Sequence, residues 1–175
     1  MRTDLMNLTG SWPLLGLSIL VVDVAVLFLT RYRPDWMGMP LNDWYTRFGG
    51  LAVLSDVAVI AIGFWLARWI YSVWFSGAGL WVFLAILVAV QAVHDILFYL
   101  GVILPIPRGA NAMMDVFKAY AASGGAKIIA GDAGLMLGSA AVFLGLESLP
   151  LSAQWFVGLL TVYALPYILT TRVGG

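Results

Sequence analysis

Cysteine is absent from the 175 residues. That excludes disulfides, thiol nucleophiles and thiolate-held metals, and it leaves the compartment open. Charge is nearly as scarce: Asp, Glu, Lys and Arg make up 10% of the chain, where a soluble domain carries about 25%. A surface so poor in charge is not solvated by water, so lipid must be its main solvent. Nine basic and nine acidic residues cancel, and without a basic excess no nucleic-acid partner is expected. There is one histidine, His94, too few for a bis-histidine haem or a histidine-rich iron centre. Neither Ser55 nor Ser139 lies in a Gly-x-Ser-x-Gly context, and phosphate-binding loops are missing. Residues 1–11 lack the basic and small-residue features of a removable signal. No cofactor is expected.

What the chain has in abundance is apolar length. It is 62% hydrophobic with a mean hydropathy of +0.97. A spanning helix needs about 20 apolar residues at 1.5 Å rise to cross a core of about 30 Å. Five stretches qualify: residues 11–30, 49–71, 80–103, 125–146 and 153–171. The second could start earlier, with an interfacial turn from Asn42, and Pro166 is expected to kink the fifth. The remaining segment, 110–122, alternates Met113, Met114, Phe117 and Tyr120 with Asp115 and Lys118. Its spacing predicts a short interfacial helix between spans three and four. The expected fold is thus an all-α integral membrane protein, a five-helix transmembrane bundle in a single domain over residues 1–175, with no internal repeat evident. Its obligatory partner is the lipid bilayer, and a homo-oligomer or a larger membrane complex is left open.

Basic residues set the orientation. Arg31, Arg33, Arg47, Arg108, Lys118 and Arg172 fall on one side and only Arg2 on the other. By the positive-inside rule the N-terminus lies outside and the C-terminus in the cytoplasm. Which membrane is crossed is not specified. The aromatics agree, with Trp12, Trp69, Trp74, Trp81 and Trp155 near the outer ends and Tyr32, Trp36, Trp44 and Tyr45 near the inner face. For all of them an anchoring belt at the headgroup level is the expectation. Arg68, near the outer end of span two, is expected to snorkel to the surface.

An ionisable group at mid-span costs at least about 2.5–3.5 kcal/mol, so each needs a reason. Counting from the inner helix ends puts Asp23, Asp56, His94, Asp95 and Asp132 at one depth, roughly 10–13 Å from the cytoplasmic boundary. In span three Gln91, Asp95 and Tyr99 recur at four-residue spacing, forming one polar face with His94. With Lys127 nearer the surface, these residues make a candidate polar pocket in the cytoplasmic half. Arg108, Asn111, Asp115 and Lys118 would line its entrance. In span four Ala130, Gly134 and Gly138 form a small-residue ridge suited to close packing. Gly131 and Gly134 also leave Asp132 with little bulk around it.

Three kinds of role fit these residues. A buried carboxylate beside a histidine suits a proton or cation relay, in transport or sensing. The outer half has no matching polar stripe, so an inward-facing pocket fits better than a through-channel. The same layer could instead tie helices together in a structural or assembly subunit of a membrane complex or viral membrane. An intramembrane enzyme ranks third, using Asp95 and Asp132 as an acid–base pair, or a metal held by Asp56, His94, Asp95 and Asp132.

Three segments also carry a resemblance. These are Trp44–Gly63 (Trp-Tyr-Thr-Arg-Phe-Gly, then Leu-Ser-Asp), Val90–Tyr99 (Val-Gln-Ala-Val-His-Asp-Ile-Leu-Phe-Tyr) and Pro107–Asp132. Together they resemble a family of uncharacterised multi-span membrane proteins met in large DNA viruses and some unicellular eukaryotes. The resemblance implies a membrane fold and no particular activity. Its matching positions are Asp56, His94, Asp95, Arg108, Asn111, Asp115, Lys118, Lys127 and Asp132.

Overall fold

The computed structural model describes residues 4–33 and 39–172, and among them every regular element is helical. The helices are α1 (Trp12–Tyr32), α2 (Met39–Phe48), α3 (Gly50–Trp74), α4 (Leu80–Phe98), α5 (Ala112–Gly124), α6 (Ala126–Glu147) and α7 (Leu151–Thr170). A π-helical turn, Tyr99–Ile103, extends α4. Five of them, α1, α3, α4 with its extension, α6 and α7, are long and apolar enough to cross a membrane. The expectations for Arg2 and Trp36 fall outside the described residues.

Local chemistry sets the boundaries. Ser11 caps α1, its hydroxyl accepting from the Leu14 N–H at 3.4 Å. Pro13 sits in the opening turn, where a missing N–H costs nothing. Asn111 caps α5, accepting from the Met113 and Met114 N–H groups at 2.9 and 3.2 Å. The junctions α2–α3 and α5–α6 turn on Gly49 and Gly125, with φ of +53° and +49°, a region that L side chains avoid.

The stretch expected to be loop from Arg31 to Phe48 contains the ten-residue helix α2. Its signal is an apolar stripe at Leu41, Trp44, Tyr45 and Phe48, the i, i+3, i+4, i+7 pattern of an amphipathic helix. The segment is short and carries Asn42, Asp43 and Arg47 on its other side, which masked it as a loop.

Helices α1, α3, α4 and α6 form a four-membered bundle in which α1 and α4 each touch both α3 and α6. Helix α7 packs chiefly on α1 and buries no residue. Helices α2 and α5 lie against each other at one end. The apolar core is in two parts. One, toward the N-terminal segment, is built on Ile19, Ile60, Phe64, Phe83, Leu87, Met136 and Phe143. The other, at the α2/α5 end, holds Leu27, Trp44, Tyr45, Ala52, Val53 and Val116.

Arg68 does not snorkel. It is fully buried, donating from Nε to the Leu5 carbonyl at 2.8 Å and from Nη2 to the Asp4 carbonyl at 3.3 Å. Its guanidinium lies 4.9 Å from the Trp12 ring centroid and 6.0 Å from that of Phe143. The polar N-terminal segment folds back over the bundle and brings carbonyls to the cation, so the arginine need not reach water. The Asp4 N–H also donates to Glu147 Oε1 at 2.8 Å, fastening the segment to the end of α6.

Candidate functional site

The polar layer lies between the two apolar clusters. On α1 the order is Ile19, Asp23, Leu27, and on α3 it is Val53, Asp56, Ile60, so each carboxylate is bracketed by one residue of either cluster. Asp23 is fully buried and accepts from the Tyr45 hydroxyl at 2.8 Å. Asp56 accepts from the Trp44 indole N–H at 3.0 Å. Asp23 and Asp56 face one another closely enough to interact directly, and Asp23 Oδ2 has no donor.

The second pair of helices supplies the other side. Asp95 Oδ1 accepts from Gln91 Nε2 at 2.7 Å and lies 3.2 Å from His94 Nδ1. Its Oδ2 is buried without a partner. Asp132, half-buried on α6, is within electrostatic reach of both Asp95 and Asp56. The four carboxylates of α1, α3, α4 and α6 therefore form a chain of neighbours, Asp23 to Asp56 to Asp132 to Asp95. Among the described residues Arg47 pairs with Asp43 on the surface, and His94 is in contact with Asp95. No guanidinium or ammonium pairs with the layer.

The donors from α2 were not foreseen as site residues. Trp44 and Tyr45, expected in an anchoring belt, are only 3% and 2% exposed and point inward. An indole or phenol is amphipathic in either setting, and here the polar end meets a carboxylate in place of a headgroup. Burial, then the Asp23 and Asp56 carboxylates, push the Tyr45 phenol well above its ordinary range. Tyr120 on α5, expected only as part of an apolar face, also belongs here. Burial and then the Asp132, Asp56 and Asp95 charges push it up to about 12. Both hydroxyls therefore stay protonated and remain donors. An aromatic series links the two sides: His94 stacks on Phe98 at 5.6 Å, Phe98 meets Phe117 at 6.1 Å, and Phe117 meets Trp44 at 4.7 Å.

Two residues expected in the pocket stand apart from it. Tyr99 is 38% exposed in the π turn and Lys127 is exposed at the start of α6. Three of the four residues assigned to an entrance hold the loop before α5. Asn111 is the cap already described, Asp115 accepts from the Gly109 N–H, and Lys118 donates to the Leu104 and Ile106 carbonyls. Arg108 is exposed. A cleft of about 220 Å³ does open between α2 and α5, lined by Pro40, Asp43, Arg47, Asp115, Val116 and Ala119. Along the expected small-residue ridge only Gly138 lies against a neighbour, Val22 of α1. Gly131 and Gly134 are exposed and, beyond their own helix, have nothing within 4 Å of where a side chain would begin, so they lie on the outward face of α6, away from Asp132.

Among the described residues no group of three or more His, Asp or Glu side chains could hold a metal ion. Asp56, His94, Asp95 and Asp132 meet pairwise and do not form a ligand set. Fold and layer together define a helical protein with five membrane-length spans and a carboxylate-rich centre. Comparison with protein-family models, curated proteins and solved structures finds no match for this chain.

Proposed function

We propose that this is a small multi-pass membrane protein whose carboxylate layer accepts protons from the cytoplasmic side, for proton-coupled transport or sensing. The observation that carries this reading is the convergence of Asp23, Asp56, Asp95 and Asp132 from four helices, with no lysine or arginine paired to them among the described residues. Carboxylates brought together in an apolar bundle need a counter-charge, and protons supply one at no cost in ligand geometry. Among the described residues the carboxylates do not gather into a three-ligand cluster, which favours protons over a divalent cation. Access runs from the α2/α5 end, because the other half is filled by Phe64, Phe83, Leu87 and Phe143 and closed by the N-terminal segment. The excess of Arg and Lys at the α2/α5 end supports a cytoplasmic assignment for that end, with the N-terminus outside and α2 and α5 at the inner interface.

The test is proton flux into liposomes that contain the purified protein and a trapped pH indicator, driven by a potassium diffusion potential. Wild type is expected to acidify or alkalinise the lumen, and Asp95→Asn to abolish the response. Flux retained in Asp95→Asn would sink the relay. A pH-dependent change in tryptophan fluorescence without flux would point to sensing.

A further inference from the structure

The two glycine junctions are the same piece of structure. Gly49 has φ +53° and ψ −124°, and Gly125 has φ +49° and ψ −131°. Each glycine N–H bonds the carbonyl four residues back, Tyr45 at 3.0 Å and Ala121 at 3.3 Å. Each glycine carbonyl accepts from the N–H three residues on, Ala52 at 3.1 Å and Ile128 at 3.2 Å. Each junction follows a short amphipathic helix and opens a membrane-length one. Five residues before each glycine stands an aromatic with a polar end, Trp44 or Tyr120, and seven residues after it an aspartate, Asp56 or Asp132. The pattern aromatic-x4-Gly-x6-Asp thus occurs twice.

The packing repeats with it. The order long, short, long describes both α1–α2–α3 and α4–α5–α6. The contacts α1–α6 and α3–α4 join the two units in equivalent ways, and the short helices α2 and α5 meet each other. The first long helix of each unit also carries a carboxylate of the layer, Asp23 on α1 and Asp95 on α4. Parallel repeats of this kind place a site where the units meet, and the carboxylate layer lies there. Helix α7 stands outside the scheme.

Among the contacts in which the two units differ, one falls on the repeated aromatic and aspartate. In the first, Trp44 Nε1 donates to Asp56 Oδ2 at 3.0 Å. In the second, Tyr120 is within electrostatic reach of Asp132, but no hydrogen bond joins them. We infer that the chain is a tandem pair of gated units, in which α2 and α5 are inner gates that turn on Gly49 and Gly125. Each gate closes when its aromatic donates to the aspartate of its own unit; here the α2 gate is closed and the α5 gate is not. Closure of α5 would hide Asp132, and its opening exposes the second unit to the cytoplasm. The groups that face Asp132 are Asp56 from α3, Asp95 from α4 and Tyr120 from α5; His94 stands beside Asp95, and Asp23 from α1 beside Asp56. The gate deepens the proton-accepting reading and rests on it for its purpose.

The absence of native cysteine makes the test direct. Spin labels on Ser76→Cys with Ala119→Cys report α5, and labels on Ser76→Cys with Arg47→Cys report α2, in the full chain in liposomes. Distances are measured by pulsed electron spin resonance at about pH 5 and about pH 8. The α5 pair is expected to show two populations whose ratio shifts between these conditions, while the α2 pair shows one. Tyr120→Phe is expected to lose the closed population, and Gly125→Ala to lose the interchange. A single α5 distance, alike at both pH values and in Tyr120→Phe, would overturn the gate. So would an α2 pair that moves as much as α5. Proton flux through a protein with an immobile α5 would overturn the gate and spare the relay, whereas a mobile α5 without flux would support the gate and remove transport.

Discussion

Removing the Tyr45 hydroxyl should be costly well beyond the loss of one oxygen atom. Tyr45→Phe keeps the ring in its place in the apolar cluster of Leu27, Val53 and Val116. What it deletes is the 2.8 Å bond to Asp23 Oδ1. Asp23 is fully buried and its Oδ2 already lacks a donor, so the variant leaves the carboxyl without that compensation in a layer that water does not reach freely. A hydrogen bond to a charged group contributes about 1.5–3 kcal/mol net, and an orphaned buried partner costs about 1–3 kcal/mol. The expected destabilisation is therefore about 1.5–3 kcal/mol, roughly ten- to a hundredfold in the folded-to-unfolded ratio. The control is Tyr163→Phe on α7, where the ring is 65% exposed and a change within about 0.5 kcal/mol is expected. Reversible denaturation in mixed micelles, followed by tryptophan fluorescence, measures both. Asp23→Ala combined with Tyr45→Phe completes the cycle, and the coupling between them should account for most of the single-variant loss. Equal stabilities for Tyr45→Phe and Tyr163→Phe, or a coupling near zero, would refute the claim that α2 is held by its donation to the layer.

Other outcomes follow from the same contacts. Leu5→Ala, at a fully buried position in the N-terminal segment, should cost about 2–5 kcal/mol, with faster proteolysis of residues 4–10 as the local readout. Gly49→Ala places a side chain at φ +53° and should cost about 1–3 kcal/mol, whereas Gly131→Ala meets open space and should be neutral or slightly stabilising in a thermal melt. Tyrosinate absorbance should show a component near pH 12 that Tyr120→Phe removes. The folded chain keeps that proton at pH values where an unfolded tyrosine, near 10, gives it up. The Tyr120 contribution to stability is therefore whole below about pH 10 and is lost as the pH rises toward about 12.

The spans were legible because their signal is the length of an apolar run, which the bilayer sets. The residues expected at 11–30, 49–71, 80–103, 125–146 and 153–171 form helices within a few residues of those limits. The grouping of Asp23, Asp56, Asp95 and Asp132 came from counting along the spans, because 1.5 Å per residue converts position into height. What sequence could not show is which way a side chain faces when both directions suit it. Trp44 and Tyr45 satisfy a headgroup belt and a buried carboxylate equally well, and only the stripe at 41, 44, 45 and 48 hinted that one face of α2 turns inward. Arg68 was misjudged for a similar reason. Its partners are backbone carbonyls 63 and 64 residues away, and a carbonyl carries no mark in a sequence. The repeat escaped because the units share three positions, an aromatic, a glycine and an aspartate, in otherwise unrelated apolar text.

The placement of the buried cations bears most directly on whether the layer ties the helices together or serves a function. A layer that existed only to hold helices would be expected to draw on the arginines available to it, since a carboxylate stripped of water is best compensated by a guanidinium. Two arginines are buried, and neither is used that way. Arg31 is spent at one end of the bundle on Asn42, Thr46 and the Leu169 carbonyl, where it joins α1, α2 and α7. Arg68 is spent at the other end on the N-terminal segment. Between them lie four carboxylates, of which Asp23 meets a phenol, Asp56 an indole, and Asp95 an amide and the imidazole of His94. A phenol, an indole or an amide leaves the charge of the carboxylate it touches free to change, where a fixed arginine would hold it. Arginines fixed at both ends and acids without a fixed cation at the centre are the arrangement that the proposed proton-accepting role requires: the framework is held apart from the groups that would change charge.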